Sequence, residues 1–394
     1  MLVLNAGSSS LKYSLVDVDV GTAPAAGMVE RIGTEQSRLR HRGPGGEDTF
    51  ERPVADHAQA LHAALEAFAE HGPDLQECDL VAVGHRVVHG GERFNSAVLL
   101  DDEVTAAIDQ LCARAPLHQP PNLEGIRLAR RAFPDLPQVA VFDTAFHSTL
   151  PPRAYTYAVP REWEREHGVR RYGFHGTSHA YVSREATRFL DLDPQQANVV
   201  VLHLGNGASA CAVAGGRSID TSMGLTPLQG LVMGSRSGDL DPAVVAHLVR
   251  TAGMTLDEVD EALNRASGLK GLAGDNDLRA VEQAAEQGDA AAVLALDVYC
   301  YRIRQYVGAY YATLGRVDVI AFTGGVGENS ARTRAAVLAG LQELGIELDA
   351  GRNQAQDTQA RRISTRDSRV AVLVVPTDEE LEIARQSVAV LDGA

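Results

Sequence analysis

One local design occurs twice in this chain. Leu2-Val3-Leu4 is a short apolar run, Asn5-Ala6-Gly7-Ser8-Ser9-Ser10 a polar turn, and Leu11–Val16 a second strand-like run. Asn198–Leu204, Gly205-Asn206-Gly207 and Ser209–Val213 repeat the pattern, with Gly205 in the place of Gly7. A turn of this kind aims successive backbone N–H groups into a concavity that suits an anion. Gly7 can take positive φ there without a Cβ clash. The hydroxyls of Ser8 and Ser10 and the Lys12 ammonium add donors. Taken alone, the first copy is as well explained by an ordinary Gly/Ser hairpin with a solvated lysine. The echo is short and suggests, without proving, an internal duplication.

Around these two turns, predicted strands alternate with helices, which makes the class α/β. His57–His71 has helical spacing and meets a Gly72-Pro73 stop. Leu80–Val88 and Gln138–Phe142 read as strands, with helices at Asp101–Arg114 and Asn122–Ala132. Pro151-Pro152 and the polar stretch to Tyr172 mark a boundary. Beyond it, Thr255-x-x-Glu258 is a capping box, Asp289–Leu314 a long helix, Val317–Phe322 a strand and Glu328–Leu344 a helix. Val370–Val375 is the last strand, and Thr377-x-x-Glu380 caps a C-terminal helix. A length of 394 residues fits two domains. They are expected at 1–150, joined by the C-terminal helix of about 380–394, and at 151–379.

The net charge of −16 argues against nucleic acid and anionic membrane surfaces as partners. An anionic substrate must then be met by locally gathered Arg, Lys and backbone N–H groups. The longest apolar runs are strand-sized, far short of the ~20 residues of a membrane span. No leader is visible before the first strand, so the chain is expected to begin there. Cys78, Cys112, Cys211 and Cys300 are scattered, as free thiols of a cytoplasmic protein would be.

Chemistry-bearing residues cluster in segments that mostly follow predicted strands, where sites gather in open α/β sheets. Gly84–Gly91 places Arg86 at a strand end, where a planar guanidinium can hold a carboxylate or phosphate, or serve a structural ion pair. Asp143 follows the next strand and suits either magnesium or a helix N-cap. Tyr172–His179 holds His175 and His179 between glycines. His175 suits donation to a transferring phosphoryl group, and His179 a packed core. His203-Leu204-Gly205-Asn206-Gly207 and the Arg236 loop add donors. Thr323–Ser330, with Gly325, Gly327 and Glu328, lets a nucleotide lie against backbone but lacks the Walker lysine pattern. Together these favour phosphoryl transfer over hydrolysis or hydride transfer.

At this point the motifs are similar to those of a known family. Asn5–Tyr13, Gly84–Glu92, Ala115–Asn122, Phe142–His147, Tyr172–His179, His203–Gly207, Met233–Pro242, Phe322–Ser330 and Pro376–Glu380 occur in its order over essentially the whole length. The chain resembles the acetate kinase family, of the acetate and sugar kinase, actin and heat-shock chaperone superfamily. The resemblance implies two duplicated RNase H-like, actin-like domains with the active site in the cleft between them. It implies reversible transfer of the ATP γ-phosphoryl to acetate, a need for Mg2+ or Mn2+, and a homodimer. It also implies roles. Asn5 and Glu379 would position the metal, along with Asp143. Ser8, Ser10, Lys12, His118, His203 and Asn206 would position phosphates. Arg86 and Arg236 would grip the carboxylate and the phosphoryl group, and His175 would stabilise the transition state. Val88, Leu117, Phe174 and Pro227 would surround the acetate methyl. Lys12, His203, Leu204, Gly205, Asn206, Gly207, Asp277, Leu278, Arg279, Gly325, Val326, Gly327, Glu328 and Asn329 would hold ATP.

The sequence departs mildly from the family pattern at Gly324–Gly327, Gln229, Asp378 and Lys270–Asp275. Three other readings stay open. One is a propionate or other short-chain carboxylate kinase. Another is a sugar kinase using Asp143 as general base. The third is a non-catalytic nucleotide-binding protein of the same fold.

Overall fold

The computed structural model describes residues 1–113 and 119–393. Leu117 and His118 lie outside the described residues. The chain divides into two compact units, one of Met1–Phe146 with the residues from Asp378 on, the other of His147–Thr377.

The first unit carries an eight-stranded sheet. Its strands are β1 (Leu2–Ala6), β2 (Ser10–Asp17), β3 (Thr22–Glu30), β4 (Arg38–Gly43), β5 (Gly46–Glu51), β6 (Val83–Val87), β7 (Val98–Leu99) and β8 (Gln138–Phe142). They lie in the order β5-β4-β3-β2-β1-β6-β8-β7. The second unit has β9 (Asn198–Leu204), β10 (Ala208–Ala214), β11 (Arg217–Thr221), β12 (Val319–Thr323), β13 (Arg361–Arg362) and β14 (Ala371–Val374), in the order β11-β10-β9-β12-β14-β13. A common plan underlies both sheets. Three antiparallel strands run into two parallel ones, β3-β2-β1-β6-β8 in one and β11-β10-β9-β12-β14 in the other. The echo of the opening turn is thus the visible tip of a whole repeated topology.

Strands β8 and β12 are buried at every residue, as parallel strands covered on both faces must be. Gln138, the one polar residue in β8, is satisfied by His85 Nε2 at 2.7 Å. The C-terminal helix Glu379–Asp392 packs on β6 so closely that a Cβ at Gly84 would lie 3.0 Å from both Ile383 and Ser387.

Gly7 does not use the positive φ open to it; its turn closes through Gly7 N–H to Ser10 O at 2.8 Å. Three local expectations change. The helix expected from Asp101 is α-helical to Gln110 and continues as a 3-10 turn over Leu111–Ala113, and the next begins at Gln119 because Pro120 and Pro121 are tolerated in a first turn. The helix expected from Glu328 instead starts at Gly324 and breaks at Asn329. Glu328 folds back to accept the Gly324 N–H at 2.9 Å, and Ser330 caps a new helix, Ala331–Leu338. Last, Asp378 rather than Thr377 caps the C-terminal helix, accepting from Leu381 N–H at 2.9 Å.

Candidate active site

In the first unit the functional side chains stand at the carboxyl ends of the parallel strands. Arg86 is the penultimate residue of β6, and Asp143 directly follows β8, its neighbour. Arg86 donates Nε to Asp143 Oδ1 at 2.9 Å and Nη2 to Oδ2 at 2.7 Å, and the Asp143 side chain is only 1% exposed. Both Asp143 oxygens are thus engaged by the arginine fork. Glu379, the first residue of the C-terminal helix, lies 3.8 Å from Arg86 Nε. Lys12 pairs with Glu380, and Asn5 sits opposite Lys12 in the β1–β2 register.

Charge is unevenly balanced here. Burial pushes the Glu379 carboxyl up; Arg86 and Lys12 oppose this, while Asp143 and Glu380 add to it. For Arg86 the balance runs the other way. Burial would lower the guanidinium, but Asp143 and Glu379 more than reverse that. Ser8 stands exposed at the tip of the opening turn and Ser10 at its foot. Val88 is buried, and its N–H donates to Asn122 Oδ1 at 2.9 Å, while Asn122 Nδ2 donates to Ala6 O at 2.6 Å. Asn122 thus ties the arginine strand to the opening turn. Asn122 closes the Ala115–Asn122 motif, but the sequence reading gave it no role.

In the second unit His175 occupies the left-handed region at φ 56°, as the N-cap of the helix Gly176–Phe189. Strain of this kind persists only where packing over-determines it. Here Gly173, at φ +79°, lies so close to Thr221 and His147 that a Cβ would approach them to 2.4 and 2.7 Å. His147 Nε2 donates to Phe174 O at 3.0 Å, pinning the peptide before His175. His175 stacks on His203 with centroids 4.3 Å apart. Both rings meet a serine through Nδ1: His175 with Ser209 at 2.9 Å, and His203 with Ser178 at 2.8 Å. Ser178 also bonds Thr377, which explains why that threonine is not a cap. Phe174 is buried and Pro227 half-buried.

Arg236 reaches the same place. Its Nη1 donates to Pro227 O at 3.4 Å, and burial lowers the guanidinium's pKa. Among the described residues no carboxylate pairs with it. A Cβ on Gly207 would lie 3.6 Å from both Arg236 Nη1 and His175 Nε2, so this glycine lets both donors face one turn. An anion at that turn would meet a partly desolvated cation and an imidazole together.

Beside the turn lies a cavity of about 820 Å³, large enough for a nucleotide. Gly205, Asn206, Asp277, Leu278, Arg279, Gly325, Val326 and Asn329 line it, as the motifs anticipated. Asn276, Glu282 and Tyr299 line it too and were not foreseen, because each belongs to a segment without a motif. Leu204, Gly327 and Glu328 are not in the lining. Leu204 is fully buried, Gly327 packs against Phe322, and Glu328 is turned back onto its own helix and Thr377 N–H. Lys12, His203 and Gly207 are also outside it.

The profile of the Acetokinase family matches residues 1–385. The chain belongs to the acetokinase family. An acetate kinase of Streptomyces avermitilis is 56% identical, with 100% of this chain and 98% of that one covered. The crystal structure of Porphyromonas gingivalis acetate kinase superposes with a TM-score of 0.93 at 43% identity, covering 99% of each chain. A propionate kinase from Francisella tularensis gives 0.92 at 41% identity, covering 98% of each. The acetokinase fold of these kinases is the α/β plan of two sheets described above.

Proposed function

We propose that this acetokinase-family chain transfers the γ-phosphoryl of ATP directly to an acetate oxygen, reversibly, giving acetyl phosphate and ADP. The observation that carries the reading is Arg236. It is a partly desolvated guanidinium without a carboxylate partner among the described residues, beside His175, at the turn whose Gly205 and Asn206 enter the nucleotide-sized cavity. Phosphoryl transfer spreads charge over three equatorial oxygens, and such donors stabilise it. Asp277, Leu278, Arg279, Gly325, Val326 and Asn329, which line that cavity, would hold the adenosine.

The acceptor needs no base, because acetate is ionised at neutral pH. Arg86, locked by Asp143, presents a fixed fork to a carboxylate. The engagement of both Asp143 oxygens also speaks against Asp143 as the general base of a sugar kinase. Val88, Leu117, Phe174 and Pro227 are proposed to surround the methyl group. One added methylene changes binding by only ~1–3 kcal/mol, so propionate is expected as a slower substrate.

Magnesium fits the first unit. Among the described residues no cluster of three or more His, Cys, Asp or Glu is placed to hold a metal unaided. Magnesium commonly takes one or two carboxylates and completes its shell with phosphate oxygens and water. The Glu379 carboxyl, raised by burial and by two neighbouring carboxylates, gains from a cation. We assign Glu379 and Asn5 to it. Bound there, the ion would offset charge on the phosphate oxygens. Family membership further supports a homodimer in the cytoplasm, acting on small molecules. The acidic balance supports no role for nucleic acid or membranes, and no helix among the described residues is long and apolar enough to cross one.

The test is a panel of acetate, propionate, butyrate and glycerol with ATP and Mg2+, with acyl phosphate trapped as hydroxamate. Acetate should react fastest. Turnover of glycerol alone would overturn the proposal.

A further inference from the structure

The histidine that faces the Gly207 turn belongs to a buried hydrogen-bond chain. Ser209 lies on β10, directly across from His203 in the β9–β10 register, and is fully buried. Its Oγ touches two imidazoles, His179 Nε2 at 2.7 Å and His175 Nδ1 at 2.9 Å. No other side-chain or backbone group among the described residues bonds that oxygen. Sequence reasoning placed His179 in the core with no part in the chemistry, and it is indeed 0% exposed.

Proton accounting fixes the direction of this chain. His179 Nδ1 is buried and has no hydrogen-bond partner among the described residues. A proton there would be an orphaned N–H, which native interiors avoid. Burial, together with His147 and His203, also lowers the His179 pKa well below the usual histidine range, so the ring is neutral and carries one proton. That proton belongs on Nε2, where Ser209 Oγ accepts it. Ser209 must then place its own hydroxyl proton on the one acceptor left within reach, His175 Nδ1. Were Ser209 to accept from both rings, its O–H would be buried without a partner.

We infer that His179 and Ser209 are positioning residues that hold His175 as the Nε2–H tautomer, its proton aimed at the Gly207 turn beside Arg236. This rests on the phosphoryl-transfer reading only for its use. The tautomer itself follows from the buried geometry. A histidine fixed in this way donates to a phosphoryl oxygen without first having to be protonated, so it works in its neutral form. Reversing the chain would present a lone pair to the phosphoryl oxygens and repel them.

Two measurements test it. Long-range 1H–15N correlation spectra of histidine-labelled wild-type protein read the tautomers directly, with assignment from His175→Gln and His179→Gln variants. The expected pattern is a protonated Nε2 and a bare Nδ1 on both residues. A protonated Nδ1 on His175 overturns the inference, whatever the substrate. In kinetics, removing a partner that fixes a functional histidine typically costs about 10–100-fold in activity. Ser209→Ala should lose that much in kcat with KM for ATP and acetate little changed, and Ser209→Thr should recover much of it. Unaltered kcat in Ser209→Ala also overturns the inference. If Ser209→Ala fails to fold, the wild-type spectrum still decides. Absence of acyl phosphate in the hydroxamate panel, with the expected tautomers present, would sink the acetate reading and leave the hydrogen-bond chain standing.

Discussion

Replacing Asp143 by alanine should destabilise the first unit through the arginine it leaves behind. Asp143 is 1% exposed and accepts two hydrogen bonds from Arg86, whose side chain is 19% exposed. Removing one member of a buried ion pair costs about 3–5 kcal/mol, because the remaining charge is stranded in a poorly solvated place. The lower end applies here, since Glu379 stands 3.8 Å from Arg86 Nε and can take up part of the charge. In a unit of this size, about 3 kcal/mol corresponds to a fall in Tm of about 6–12 °C. Thermal unfolding followed by far-UV circular dichroism measures it. The double variant Arg86→Met/Asp143→Leu should recover most of the loss, as matched removal of a buried pair usually does. A Tm within experimental error of wild type in Asp143→Ala would refute the reasoning. So would a double variant less stable than the single one. Either result would mean that the guanidinium is solvated and the aspartate does not hold it.

Three further outcomes follow from the geometry. Arg236→Ala should lower kcat by ~10³-fold while leaving Tm unchanged or raised, because the cation it removes is partly desolvated and has no carboxylate partner among the described residues; kinetics and thermal scans read both. Gly173→Ala should cost about 2 kcal/mol or more, given φ +79° and the 2.4 Å approach to Thr221, and it should lower kcat more than it raises KM by shifting His175. Burial lowers His85 from 6.5 to about 4, so between those values the unfolded chain binds a proton that the folded one refuses. The stability this residue contributes is intact above pH 6.5 and falls by about 3 kcal/mol as pH drops to about 4. Urea midpoints across that range should show the slope, and His85→Gln should flatten it.

Much of this was legible in the sequence because the fold places its chemistry at strand ends that Gly-rich motifs announce. Arg86 and the Gly205–Gly207 turn lie in such segments, Asp143 directly follows a strand, and His175 stands between glycines at a helix N-cap. What stayed hidden were relations rather than residues. That Asp143 spends both oxygens on Arg86 depends on two parallel strands being neighbours, which no local pattern encodes. Ser209 is the second residue of β10, among small apolar residues, and its contact with two histidines at and near the start of a distant helix arises only from packing. Glu328, which the resemblance places at ATP, accepts from the Gly324 N–H of its own helix and from Thr377 N–H, contacts that no local pattern announces. Capping was misplaced by one residue at Thr377 for a similar reason: Ser178 competes for the hydroxyl.

The central claim is direct transfer from ATP to a carboxylate, and labelled phosphate tests it most simply. With γ-labelled ATP and Mg2+, label should pass to a hydroxylamine-sensitive acyl phosphate only when acetate is present, and none should remain on the protein. Stoichiometric label on a side chain of the chain, or release of inorganic phosphate at the same rate without acetate, would contradict it.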